Sequence, residues 1–114
     1  MKVKIGNVNY DIELTTKLDK DMVEDSRGCI LYEELRILID KQSAKELKEQ
    51  VLYHEISHAI CEQTSFNNML MEKLGDNGYE IFIDSMGKVL FNLIHNNDLK
   101  KLEKFVKGET NEQD

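Results

Sequence analysis

The stretch Tyr53-His54-Glu55-Ile56-Ser57-His58 constrains this chain more than any other, because H-E-x-x-H sets two imidazoles four residues apart inside a segment of helical apolar periodicity. On an α-helix that spacing turns about 40° and rises about 6 Å, so both rings leave one face and can meet a single metal ion. Glu55 projects about 100° away from His54, where its carboxylate reaches a water at the metal without being a ligand. The stretch therefore reads as a zinc site with Glu55 as the catalytic base. The plainer reading is two helix-surface histidines beside an ordinary glutamate, a pattern expected by chance in on the order of one such chain in a hundred.

A two-histidine site is incomplete, so the rest of the chain has to supply a third ligand and the surface that buries the first two. Ser43 and Glu46 form an S-x-x-E signature ahead of the motif, so the helix is predicted to start there with a capping box and to run to about Gln63. Leu47, Val51, His54, His58 and Cys61 make one stripe of it, and Leu52, Ile56, Ala59 and Ile60 a neighbouring one. The histidines thus lie on an apolar face, and buried imidazoles need partners.

Upstream, Val3 and Ile5, then Val8, Tyr10, Ile12 and Leu14, alternate with polar residues on either side of Gly6-Asn7, which predicts a β-hairpin. Thr15 to Arg27 is dense in charge and reads as a loop or a short helix. Cys29 to Tyr32 and Leu35 to Asp40, joined at Glu33-Glu34, read as a second hairpin or as a strand added to the first, with Leu35, Ile37 and Ile39 on one face.

Downstream, Thr64 to Leu74 fits a short helix or an ordered loop, and Gly75-Asp76-Asn77-Gly78 breaks the chain. A strong helix is then predicted from about Gly78 to Asn96, with Tyr79, Phe82, Ile83, Met86, Leu90, Leu93 and Ile94 as its apolar stripe and Glu80, Asp84, Gly87 and Phe91 beside it. A glycine inside a helix costs about 1 kcal/mol relative to alanine, so Gly87 points to close approach by the helix carrying the histidines. Leu99 to Val106 extends or follows this helix. Residues 1–107 read as one domain and 108–114 as a frayed polar tail.

Glu80, twenty-two residues beyond His58, is the expected third ligand, since a carboxylate from a second helix completes a His₂Glu site whose fourth position stays open for water. Asp84, one turn further, is expected to accept the N–H of a ligating imidazole and so orient it. Their plainer role is that of acids near a helix N-terminus, which suits Glu80 better than Asp84. His95 falls about 22 Å along the helix from Glu80 and reads as a surface histidine. Tyr79 and Tyr32 could donate to an oxyanion, but at these spacings they read as core. Cys61, on the turn after His58, and Cys29 read as reduced core residues outside the metal site.

Composition narrows the setting. With 40% apolar and 32% charged residues and no run of about 18 apolar residues, a soluble protein is expected, with no membrane association. No apolar leader is visible at the N-terminus, so the cytoplasm is the expected compartment. A net charge of −7 with pI near 5 and no basic stripe argue against nucleic acid.

His54-Glu55-Ile56-Ser57-His58 followed by Glu80-Ile81-Phe82-Ile83-Asp84 resembles the zincin metallopeptidases of the gluzincin type, whose pattern is H-E-x-x-H and then E-x-x-x-D on a later helix. The run Arg36-Ile37-Leu38-Ile39-Asp40 leading into the active helix is similar to small phage and mobile-element zincins, relatives of the repressor-cleaving immunity metallopeptidases. The resemblance covers roughly Gly28 to Asn97. It implies that His54, His58 and Glu80 bind zinc, that Glu55 is general base and acid, and that Asp84 orients a ligand. It also implies an α+β fold in which a small antiparallel sheet packs on the two helices and the strand nearest the cleft holds an extended substrate, for which Leu35 to Asp40 is the expected edge. The expected partner is a protein or peptide substrate, such as a regulatory protein of the same mobile element. No residue matches the transition-state histidine or tyrosine of larger members, so the competing expectation is a non-enzymatic, zinc-stabilised protein-binding module.

Overall fold

In the computed structural model, residues 1–16 and 27–109 are described. The interior of the charged Thr15 to Arg27 stretch and the end of the polar tail lie outside them. Strands β1 (Lys2–Ile5) and β2 (Val8–Thr15) pair antiparallel with Ile5 opposite Val8, and Gly6 takes the left-handed φ of +64° that the tight turn requires. Strands β3 (Gly28–Leu31) and β4 (Arg36–Asp40) form the second antiparallel hairpin. No glycine sits in its turn, and Leu35 itself adopts φ 54° while its N–H donates to the Tyr32 carbonyl.

The fold is α+β, as expected, but the sheet is mixed rather than antiparallel throughout. Its order is β1-β2-β4-β3, and β4 runs parallel to β2 with Ile12 opposite Ile37. The expected substrate edge, Leu35 to Asp40, is therefore an interior strand, and the edges are β1 and β3. Burial gives the reason: Ile37, Leu38 and Ile39 are all buried in succession, and a strand covered on both faces belongs in the middle of a sheet.

Helix α1 (Lys45–Gln63) lies across the sheet and carries the histidine motif. Its sheet-facing side closes a core of Ile5, Tyr10, Ile37, Ile39 and Ala59, with Val51, Leu52, Ile56 and Ile60 packed around it. The expected capping box does not form. The helix starts after Ala44 without a side-chain cap, because Ser43 Oγ is already donated to Asp40 Oδ2 in a turn where Asp40 Oδ1 also accepts from the Gln42 N–H.

At its C-terminus α1 closes with Ser65 at φ 63°, the Ser65 N–H donating to the Glu62 carbonyl and the Phe66 N–H to the Cys61 carbonyl. Helix α2 (Asn67–Asn96) follows and is kinked where expected, at Gly75 with φ 72° and ψ 172°. Its second part packs on the other side of α1 through Cys61, Tyr79 and Ile83, with Leu70 and Met86 beside them. Gly87 is the point of closest approach: a Cβ there would lie 3.1 Å from His54 N and 3.2 Å from His54 Cα.

The expected apolar stripe of α2 is only partly a core stripe. Tyr79 and Ile83 are buried, whereas Phe82, Leu93 and Ile94 are exposed, because among the described residues α1 packs on one side of α2. Helix α3 (Leu99–Val106) is a separate helix, capped where Asp98 Oδ1 accepts from the Lys101 N–H, and buries none of its residues. No helix among the described residues is long and apolar enough to cross a membrane.

Candidate metal centre

His54 and His58 leave α1 on the side facing α2, one turn apart, with ring centroids 5.0 Å from each other. Because Gly87 lets α2 settle against the backbone at His54, the carboxylate of Glu80 arrives between the two rings. Its Oε2 is 3.5 Å from His54 Nε2 and its Oε1 is 3.6 Å from His58 Nε2. Those distances exceed ordinary hydrogen bonds. They fit a shared cation: donors about 2.0–2.1 Å from a tetrahedral ion lie about 3.4 Å apart. All three residues offer a ligand atom within 4.8 Å of one another, a set able to hold a metal ion.

Glu55 leaves α1 toward the sheet and is only 7% exposed. Burial, seconded by the negative charge of Glu80, pushes its carboxyl up from 4.5 to about 7. The strand beside it is β3, where Gly28 leaves so little room that a Cβ would meet Val51 Cγ1 at 2.3 Å and Glu55 Cγ at 3.6 Å. Burial also pulls His58 below the usual imidazole range, against the pull of Glu80 and with that of His54. The neutral ring is the form that binds metals.

No family model, curated protein or solved structure matches this chain.

Asp84 lies on the expected side of His54, its Oδ1 3.6 Å from Nδ1, which is longer than a hydrogen bond. It is exposed and its Oδ2 holds Lys88 Nζ at 2.9 Å. That lysine is the chief reason its carboxyl sits below the ordinary range. His95, itself exposed, stacks on half-buried Phe91 of α2 and edges half-buried Tyr53 of α1. Cys61 is buried, its thiol pushed up by desolvation, and neither cysteine belongs to the metal-binding set or to a disulfide.

Four residues that the sequence left out of the site, Tyr79, Asn67, Glu62 and Tyr32, lie beside it. The Tyr79 hydroxyl is 2.9 Å from His58 Nδ1, on the ring edge opposite Glu80, and donates to Asn67 Oδ1. Asn67 Nδ2 in turn donates to Glu62 Oε2 at 2.7 Å. Tyr32 lies beside the group, its ionisation raised by burial to about 12. Tyr79 packs into the core as expected, with 2% exposure, whereas Tyr32 is half-buried. A signal for Tyr79 was present: a buried phenol needs a polar partner, and the facing stripe of α1 offers only imidazoles. Asn67 carried none.

Proposed function

We propose that this protein is a zinc-dependent peptidase. The observation that carries the reading is the convergence of His54 Nε2, His58 Nε2 and a Glu80 oxygen from a second helix, with the buried carboxyl of Glu55 close enough to feel the charge of Glu80. Two neutral imidazoles and one carboxylate form the donor set of a catalytic zinc site with an open fourth position. Bound there, zinc supplies a Lewis acid that polarises a carbonyl and brings the pKa of water toward about 7. Glu55 takes the proton of the water that attacks the peptide carbonyl and hands it to the nitrogen of the leaving amine. Without metal that carboxyl ionises near 7, and a bound cation would favour its ionised form, the one that accepts a proton.

The substrate is an extended peptide segment lying along the strand nearest the cleft, which is β3. By the resemblance to mobile-element zincins, it belongs to a cytoplasmic regulatory protein encoded beside this one. The test is metal analysis of purified protein, followed by incubation of that neighbour with zinc-loaded wild type and with Glu55→Gln. One zinc per chain, cleavage by wild type and none by the variant is expected. Absence of zinc binding, or equal cleavage by both, overturns the reading. Stable complexes with both and cleavage by neither favour a zinc-stabilised binding module.

A further inference from the structure

We propose that Glu62, Asn67 and Tyr79 form a directional hydrogen-bond relay that holds His58 as its Nδ1–H tautomer, and that Tyr79 is the principal positioning residue of the metal centre. The metal-binding consequence rests on the function proposed above; the tautomer does not.

The polarity follows from counting donors link by link. The carboxylate of Glu62 only accepts, so Asn67 presents its Nδ2–H₂ to it. That leaves Asn67 Oδ1 facing Tyr79, and the single hydroxyl hydrogen of Tyr79 goes there. Toward His58 Nδ1, 2.9 Å away, the hydroxyl oxygen then offers only a lone pair. The hydrogen of that contact has to come from Nδ1, and a neutral ring protonated at Nδ1 keeps its lone pair on Nε2, the atom that faces Glu80. Tyr32 lies beside Asn67 and Tyr79, and whichever way its own hydroxyl turns, the close contact of the Tyr79 oxygen with Asn67 Oδ1 still requires the Tyr79 hydrogen between them.

The relay is built from three places in the chain. Glu62 lies one turn beyond His58 on α1, Asn67 opens α2 before the Gly75 kink, and Tyr79 follows the kink. Asn67 and Tyr79 are 8% and 2% exposed, so water cannot replace the two middle links. The support for His54 is of another kind: Asp84 stands 3.6 Å from Nδ1, exposed and committed to Lys88. Of the two groups on the outer edges of the rings, Tyr79 therefore controls its imidazole more tightly than Asp84.

Long-range ¹H–¹⁵N spectra of the metal-free protein at pH 8 read the tautomer directly. Wild type is expected to carry the proton on His58 Nδ1. Exposed Glu62 gives the decisive variant: Glu62→Lys puts a donor where the anchor was, so Asn67 turns its oxygen outward, Tyr79 donates to Nδ1, and the proton moves to Nε2. Tyr79→Phe is expected to leave His58 a tautomeric mixture and to weaken zinc binding by about 10- to 100-fold, more than Asp84→Asn does. An Nε2–H tautomer in wild type, or an unchanged tautomer in a folded Glu62→Lys, overturns the proposal. Because Glu62 is at the surface, that result is obtained even if Tyr79→Phe fails to fold. A wild type with the expected tautomer and response that binds no zinc removes the peptidase reading and leaves the relay standing.

Discussion

Replacing Glu55 by glutamine tests the electrostatics of the site before any substrate is known. In the metal-free fold the Glu55 carboxyl ionises near 7 rather than at 4.5. At about 1.4 kcal/mol for each pH unit, holding the ionised form in the buried site costs the native state about 3 kcal/mol. The sign follows from the raised value: the contribution is whole below pH 4.5, where both states are protonated, and is lost progressively as the pH rises through 7. Glutamine is neutral at every pH and carries no such loss, although its amide adds a fixed offset that depends on how it hydrogen-bonds. Urea unfolding with a chelator present, at intervals from pH 5 to 8, should show the variant gaining on wild type by about 2.5 kcal/mol across the range, on the order of 10 °C in Tm. Saturating zinc should narrow that gap, because a divalent cation beside the carboxylate favours its ionised form. A stability difference constant with pH in the metal-free protein would refute the reasoning, whatever its size.

Glu80→Ala removes one of three donors, so zinc affinity measured by competition with a chromogenic chelator should fall steeply; wild-type affinity would return Glu80 to the role of an exposed helix acid. Gly87→Ala drives a methyl to within 3.1 Å of His54 N and should cost about 1–3 kcal/mol in urea unfolding, with zinc affinity falling as α2 is pushed off α1. Ser65→Gly should raise stability by up to about 1 kcal/mol, since serine at φ 63° bears a strain that glycine does not; a loss of stability would contradict that account of the end of α1.

The elements with strong local signals were legible in the chain. H-E-x-x-H needed only helical spacing, Gly6-Asn7 and Gly75 marked their breaks, and Gly87 announced the contact that brings Glu80 to the histidines. Where a signal depended on competition, the reading failed. Ser43 had the spacing of a capping box, but Asp40 claimed its hydroxyl first. Phe82, Leu93 and Ile94 had the periodicity of a core stripe, but no element among the described residues covers that side of α2.

By itself, then, the sequence determined which residues share a helix face and hence that His54 and His58 would leave α1 side by side, because side-chain direction within an element depends on neighbours a few residues away. The tertiary structure decided that β4 lies inside the sheet and parallel to β2, that Asp84 stands off from His54 while Tyr79 touches His58, and that Asn67 connects Tyr79 to Glu62. Strand order and the partners of buried polar groups are settled by which segments bury the most apolar surface together and which donors then find acceptors in the space that remains, and neither quantity has a period along the chain.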